Sequence, residues 1–107
     1  MAFKGFVVRV SFLWVEGMAL YPFVFIKNRH PHWVLLNHEG IHLRQQLETG
    51  FLLFYVWYLA EYLFRLIRCR SHYQAYRAIS FEREAFRHEA SPDYLRERTR
   101  WAFLRYI

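Results

Sequence analysis

The sequence has only one cysteine, Cys69, among its 107 residues. A single cysteine excludes an intramolecular disulfide framework, and it also excludes a zinc site built from four cysteines. Glycine and proline are scarce too, with four and three residues. The chain therefore has no glycine-rich loop, and it shows no internal repeat, low-complexity tract or linker. Its length suits one domain that spans residues 1–107.

Acidic residues are in the minority: nine stand against fifteen basic residues, and the formal net charge is +6. A basic chain can bind nucleic acid, but no lysine run or RNP-like pattern accompanies the charge, so we do not expect a nucleic-acid partner. Arginines alternate with aromatic residues in residues 62–68. This pattern suits either a solvated basic face or a membrane interface, where the side-chain stems pack and the guanidinium groups reach anionic headgroups.

Apolar residues are abundant for so small a chain, at 55% hydrophobic and 21% aromatic. Part of this apolar surface is expected to meet a membrane, a partner or another copy of the chain. Residues 1–10 do not resemble a signal peptide, because Arg9 interrupts their apolar run and no small-residue cleavage site follows. The sequence leaves the location open between the cytoplasm and a peripheral position on a membrane.

The N-terminal quarter of the chain has the composition of β-strands. Residues 6–15 and 18–26 are rich in valine, phenylalanine and other strand formers, and Glu16-Gly17 lies between them as a plausible tight turn. The pattern predicts a β-hairpin. Because Pro22 cannot donate a ladder hydrogen bond, the second strand is expected to be an edge strand or to be bulged there.

The remainder of the chain predicts helices at about residues 33–49, 51–67, 71–89 and 92–106. Gly50 marks a break between the first two helices. Ser71 and Ser91 are expected to cap the third and fourth, and Pro92 suits a first helical turn. The predicted fold is therefore α+β and dominated by helices, with an N-terminal hairpin followed by about four helices.

Residues 51–67 form a stretch that is apolar except for Glu61 and Arg65. The stretch is shorter than the roughly 20 residues that a spanning helix needs, so a buried or interfacial helix is favoured. Its aromatics lie on nearly every side, and a small domain cannot easily cover all of them. We expect residues 51–70 to serve also as an interaction surface, with Trp57 and Tyr58 among the outward residues.

The sequence His38-Glu39-Gly40-Ile41-His42 is an H-E-x-x-H motif. On a helix, residues four apart lie on one face, so His38 and His42 can reach the same metal ion. Glu39 can then act on a metal-bound water as a general base. The motif predicts a zinc site that supports hydrolysis.

A catalytic zinc site needs a third protein ligand. The extended H-E-x-x-H-x-x-G-x-x-H pattern is absent, because Leu43-Arg44-Gln45-Gln46 follows the motif. The third ligand must come from elsewhere, and the best candidates are Glu82 and Glu84 in residues 80–86. They lie about 200° apart around a helix, so both cannot be ligands.

The spacing of Glu82 and Ala85 resembles the third-ligand motif E-x-x-A of the gluzincin metallopeptidases. The wider pattern of residues 37–48, an aromatic-rich helix and residues 80–85 resembles short bacterial proteins of the zincin-like type, and this resemblance covers roughly residues 20–107. It implies a minimal zincin-like core with Zn²⁺ held by His38, His42 and Glu82. Glu84 is then the fallback ligand. The larger gluzincins often place an acidic residue after the small position to support a histidine ligand, whereas this chain has Phe86 there. Support would then come from elsewhere, for example Gln45, Gln46 or a backbone carbonyl.

These features predict a zinc-dependent, metallopeptidase-like protein in which metal-activated water hydrolyses a peptide or protein substrate. The substrate is expected to lie along an edge strand at residues 18–26. The alternative is a non-catalytic, metal-binding accessory subunit that docks on a membrane or a larger complex through residues 51–70. Four groups near the glutamate helix are candidates to stabilise the transition state, and the sequence does not choose among them: His72, Tyr73, Tyr76 and His88.

Overall fold

The structure is a computed structural model that describes residues 5–107; the first four residues of the segment compared above with a signal peptide lie outside this range. Its regular elements are β1 (Phe6–Arg9), β2 (Gly17–Leu20), β3 (Phe23–Ile26), α1 (Trp33–Thr49), α2 (Phe51–Cys69), α3 (His72–Ala78), α4 (Ser80–His88), α5 (Tyr94–Glu97) and a 3-10 helix (Ala102–Tyr106). The predicted α+β class, dominated by helices with a small N-terminal sheet, is confirmed.

The sheet contains a hairpin, but not the predicted one. Strands β2 and β3 pair antiparallel with Leu20 opposite Phe23, and β1 pairs parallel with β3, which gives the order β1-β3-β2. The turn predicted at Glu16-Gly17 is wrong, because the tight turn lies at Tyr21-Pro22. Proline has a fixed φ and no N–H to donate, so it is better placed in a turn than in a strand.

Helices α1 and α2 follow the prediction closely. The His32 side chain caps α1 by accepting a hydrogen bond from the Val34 N–H at 3.2 Å. Gly50 separates the two helices with a φ of 84°, a conformation that favours glycine, and the helix direction bends by 111° between α1 and α2. Within residues 5–107 no single helix has the length and composition of a membrane span, although the bent α1–α2 pair together meets that test.

The predicted helix at 71–89 is divided at Ile79, whose backbone is extended. Ser71 does cap α3, as expected, through the Gln74 N–H. The division is explained by Glu61 of α2, whose carboxylate accepts hydrogen bonds from both the backbone N–H and the hydroxyl of Ser80. The Glu61 carboxylate thus accepts the backbone N–H at the start of α4, where the helix itself offers no acceptor.

The predicted helix at 92–106 is also wrong. Only α5 and the short 3-10 helix form there, and Asp93 rather than Ser91 precedes α5. The chain leaves the helix at Arg98, which has extended dihedrals and a guanidinium bound to Glu48 and Glu84. A buried ion pair with residues distant in sequence therefore overrides the local helix signal.

Three apolar clusters hold the elements together. The sheet packs on α1 through Ala19, Val24, Ile26 and Leu43. Helix α2 packs on α4 and the 3-10 helix through Phe54, Ile79, Phe81 and Phe103. Helix α4 packs on α1 and α5 through Ile41, Ala85 and Leu95. Ala85 is fully buried, and its small side chain lets α1 and α4 approach closely.

Helix α2 turns its apolar side away from the protein. Only Phe54 is buried, while Leu52 and Ile67 are each 76% exposed. Trp57 and Tyr58, which we expected to point outward, point inward instead: Trp57 packs on Phe103, and the Tyr58 hydroxyl bonds to Glu82. Tyr55, Trp57, Tyr58 and Tyr62 of α2 pack against the rest of the fold, whereas Phe51, Phe64 and the leucine-rich side of the helix are exposed.

Candidate metal centre

The structure brings His38, His42 and Glu82 together. Glu82 Oε1 lies 3.0 Å from His38 Nε2 and 3.1 Å from His42 Nε2. One potential ligand atom from each residue lies within 4.8 Å of the others, and all three side chains are buried. Two imidazole nitrogens and a carboxylate oxygen are donors that zinc prefers. The donor set therefore fits a metal ion.

The local sequence explains this convergence. His38 and His42 are one turn apart on α1, so their rings share a face, with centroids 4.9 Å apart. Glu82 reaches the same point from α4, which lies close to α1 where Ile41 contacts Ala85. The third residue of the group is thus placed by helix packing rather than by proximity in the chain.

Glu84, the fallback ligand, lies outside this group. It is fully buried, and its carboxylate accepts hydrogen bonds from Arg98, from the Tyr94 hydroxyl at 2.6 Å and from the Gln45 amide at 3.0 Å. Burial opposes ionisation, but the hydrogen bonds and charge of Arg98 outweigh it and lower the pKa of Glu84. Glu84 therefore lies next to the candidate ligands and, in the part of the chain that the structure describes, is linked by hydrogen bonds to His42 only through Gln45.

Gln45 links Glu84 to His42. Its amide nitrogen donates to the Phe81 carbonyl and to Glu84 Oε1, each at 3.0 Å. Its amide oxygen must then face His42 Nδ1, 2.7 Å away, and accept the ring proton there. Neutral His42 consequently presents the lone pair of Nε2 to the metal position. Gln46, the other amide considered, instead bonds to the Ala19 carbonyl and the Tyr21 N–H.

Two residues near the group were missed from the sequence. His38 Nδ1 lies 3.3 Å from Glu89 Oε2, without hydrogen-bond geometry. A signal for Glu89 existed, because it follows Glu82 by seven residues, or two helical turns. The second residue is Tyr58, whose hydroxyl donates to Glu82 Oε2 at 2.6 Å. No local pattern marks Tyr58, since it lies on a different helix.

Charge and burial set the state of the group in the protein without a metal ion. Burial favours neutral His42, but the Glu82 carboxylate outweighs this effect and raises the pKa of His42 to about 9. Burial likewise disfavours ionised Glu82, but the two histidines lower the pKa of Glu82 well below its usual range. Without metal, the two side chains therefore form an ion pair.

Glu39 lies beside this pair but differs from it. Its side chain is buried, and burial raises its pKa against the opposing effect of the two histidines. No group within residues 5–107 donates a hydrogen bond to its carboxylate. A carboxylate with a raised pKa and open oxygens has the properties of a general base.

The group lies at the bottom of a cleft of about 810 Å³. The cleft is bounded by β2, α1, α2 and α4, and by Trp14 at its rim. Strand β2 is an edge strand, while β3 is the central strand, so the edge expected at residues 18–26 extends only over Gly17–Leu20. His72, Tyr73 and Tyr76 line the cleft, whereas His88 instead stacks on Tyr94.

Comparison of the chain with protein-family models, curated proteins and solved structures gave no significant match. The resemblance to gluzincins therefore stays a prediction that rests on the two motifs. The functional argument rests on the geometry of the cleft and its side chains.

Proposed function

We propose that this protein is a zinc-dependent, metallopeptidase-like hydrolase. The observation that carries the proposal is the meeting of His38, His42 and Glu82 at the floor of a cleft, with the unbonded Glu39 carboxylate beside them. Within residues 5–107 the group contains three ligands, and a three-ligand site leaves a position for water or substrate. A closed set of four ligands would instead favour a structural role.

The protein's own residues supply the remaining parts of the mechanism. A zinc ion held by the three side chains would lower the pKa of water and polarise the substrate carbonyl. Glu39 takes a proton from the attacking water and delivers it to the leaving amine. Gln45 holds the tautomer of His42, and Tyr58 holds the second oxygen of Glu82.

The substrate position is limited by the edge of β2. The Ala19 carbonyl already accepts hydrogen bonds from Gln46 and from the Tyr55 hydroxyl, each at 2.8 Å. A peptide that adds to this edge must therefore pair near Gly17. An added Cβ on Gly17 would come within 3.4 Å of Glu39. A peptide paired at this end of β2 would thus lie beside the proposed base.

The second candidate function is a non-catalytic, metal-binding accessory subunit. The observation that favours it is the uncovered apolar side of α2, which a free enzyme does not need. The two functions share the metal group and differ in the role of Glu39. Only a hydrolase requires a carboxylate at that position.

Metal content and hydrolysis measured together test the proposal. Purified protein should contain about one zinc per chain, and it should cleave members of a fluorogenic peptide library. Glu39→Gln should retain the metal and lose cleavage. Glu97→Gln, a change of an exposed glutamate on α5, is the matched control and should retain both. Bound zinc without cleavage by the wild-type protein would support the accessory subunit, and loss of zinc in Glu39→Gln would refute the assigned role.

A further inference from the structure

Helix α2 has a continuous apolar side that faces away from the protein. At about 100° per residue, eight of its exposed side chains fall within less than half of the helix circumference, while the exposed Phe51 and Arg68 lie outside this arc. These eight residues, the outward face, are Leu52, Leu53, Val56, Leu59, Ala60, Leu63, Phe64 and Ile67. None of them is polar. The helix is 19 residues and therefore about 28 Å long, so this face is large for a small domain.

The opposite side of α2 carries four polar groups that bond to other parts of the fold, together with Arg65, whose buried Nε has no hydrogen-bond partner within residues 5–107. Tyr55 bonds to Ala19, Tyr58 to Glu82 and Tyr62 to His72. Glu61 accepts from Ser80. The inward side also carries the apolar Phe54 and Trp57, whereas a surface helix in water normally has polar residues on its outer side. Polar groups turned inward and apolar groups turned outward are typical of a helix in contact with lipid.

The charge beside the outward face is positive. Arg68 and Arg70 are exposed at the C-terminal end of α2, and the guanidinium carbons of Arg65 and Arg68 each lie 5.7 Å from the centre of the Phe64 ring. The single acidic residue of α2, Glu61, is turned inward to Ser80. Phosphate groups of anionic lipids complement this end of the helix.

We propose that the outward face of α2 docks into the surface layer of an anionic lipid bilayer. The leucine-rich face enters the region of the acyl chains, while Arg68 and Arg70 bind headgroup phosphates. A second copy of the chain is a poorer occupant, because it would bring together two molecules that each carry a net charge of +6.

This docking would also determine what reaches the cleft, a consequence that rests on the proposed hydrolytic function. Leu59 belongs both to the outward face and to the cleft lining, and Trp14 lines the cleft while 81% exposed. The mouth of the cleft therefore lies at the margin of the docking surface. The substrate class that fits is a peptide segment held at the lipid surface.

Vesicle flotation tests the docking without any need for activity. The full chain should float with vesicles of phosphatidylcholine and phosphatidylglycerol, and much less with phosphatidylcholine alone. The double variant Val56→Asn/Leu63→Asn should lower the bound fraction at least about tenfold, because it removes apolar groups from the inserted face. Leu104→Asn changes an exposed leucine of the 3-10 helix and is the matched control. Circular dichroism and zinc content report on folding.

A second pair of variants keeps the test decisive if the apolar variant fails to fold. Arg68→Gln/Arg70→Gln should remove the preference for anionic vesicles, whereas Arg96→Gln/Arg100→Gln, with the same change of charge, should retain it. Failure of the folded wild-type protein to float would overturn the proposal. So would a dimer in solution that Val56→Asn/Leu63→Asn dissociates. Flotation of Glu39→Gln should equal that of the wild type, so a failed hydrolase assay leaves this result intact.

Discussion

The Tyr58 hydroxyl donates a 2.6 Å hydrogen bond to Glu82 Oε2, and this leaves Oε1 alone to face His38 and His42. One oxygen of the Glu82 carboxylate thus binds α2, and the other faces the two histidines of α1. The orientation of Glu82 is fixed from both sides, as the proposed role of metal ligand would require.

Replacement of Tyr58 by phenylalanine removes that donor while retaining the ring. We expect Tyr58→Phe to weaken zinc binding by about 10- to 100-fold, because the buried Oε2 loses its partner and Glu82 is free to rotate. Competition titration with a chromogenic chelator measures the change. Tyr73→Phe, at a residue that is 65% exposed, is the control and should have no effect. Equal zinc affinity in the wild type and Tyr58→Phe would contradict a positioning role.

Glutamine variants of the two neighbouring glutamates separate their roles. Glu82→Gln should abolish stoichiometric zinc binding, because a ligand is lost. Glu84→Gln should retain zinc but lower the free energy of unfolding by about 1–3 kcal/mol, since Arg98 loses part of its buried charge partner. Chemical denaturation and elemental analysis provide the two measurements. Zinc retained by Glu82→Gln and lost by Glu84→Gln would show that the ligand assignment is reversed.

The metal-free ion pair makes stability depend on pH. The pKa of Glu82 is lowered, so its contribution is present above its unfolded value of 4.5 and is lost as the pH falls through the folded value. The pKa of His42 is raised to about 9, so its contribution is fully present below 6.5 and is lost as the pH rises to about 9. The melting temperature of the chelated protein should therefore decline between pH 6.5 and 9.

Zinc binding should change with pH in the opposite direction. The ligand form of His42 is neutral, so the ion must displace a proton, and the apparent affinity should rise as the pH approaches 9. Isothermal titration in buffers of different ionisation enthalpy counts the released proton. An affinity that does not change between pH 6.5 and 8.5 would exclude the ion pair as the metal-free state.

Gly17 allows the close approach between β2 and the helix that carries Glu39. A Cβ at this position would lie 3.2 Å from Leu35 Cδ1 and 3.4 Å from Glu39 Oε2. We expect Gly17→Ala to lower the rate of peptide cleavage by about tenfold, because a displaced base is poorly aligned, and to leave zinc binding unchanged. Gly50→Ala, with no neighbour within 4 Å but a φ of 84°, should instead cost about 1 kcal/mol of stability.

The sequence was most informative where the determinants are local. Helix α1, its N-terminal boundary and the break at Gly50 follow from periodicity and from one glycine, and the two histidines share a face because they are four residues apart. The class of the fold was also predictable. Glu82 was favoured over Glu84 because of a resemblance, and the structure places Glu82 beside the histidines.

Features set by distant residues were not predictable. The parallel pairing of β1 with β3 joins strands that are separated by β2, and a local turn signal cannot indicate it. Helix α4 begins at Ser80 because Glu61, nineteen residues earlier, binds there. The chain leaves α5 at Arg98 because Glu48 lies fifty residues away in sequence but adjacent in space. Such partners are known only once the helices are packed.

Gly50 joins α1 and α2 without a linker, and backbone hydrogen bonds continue across it. The Gly50 N–H donates to the Gln46 carbonyl and the Phe54 N–H donates to the Gly50 carbonyl, each at 2.9 Å. The histidines of α1 and the outward face of α2 therefore lie on two helices that are directly connected at a hydrogen-bonded junction. On a bilayer, the tilt of α2 would therefore set the height and angle of the cleft above the headgroups.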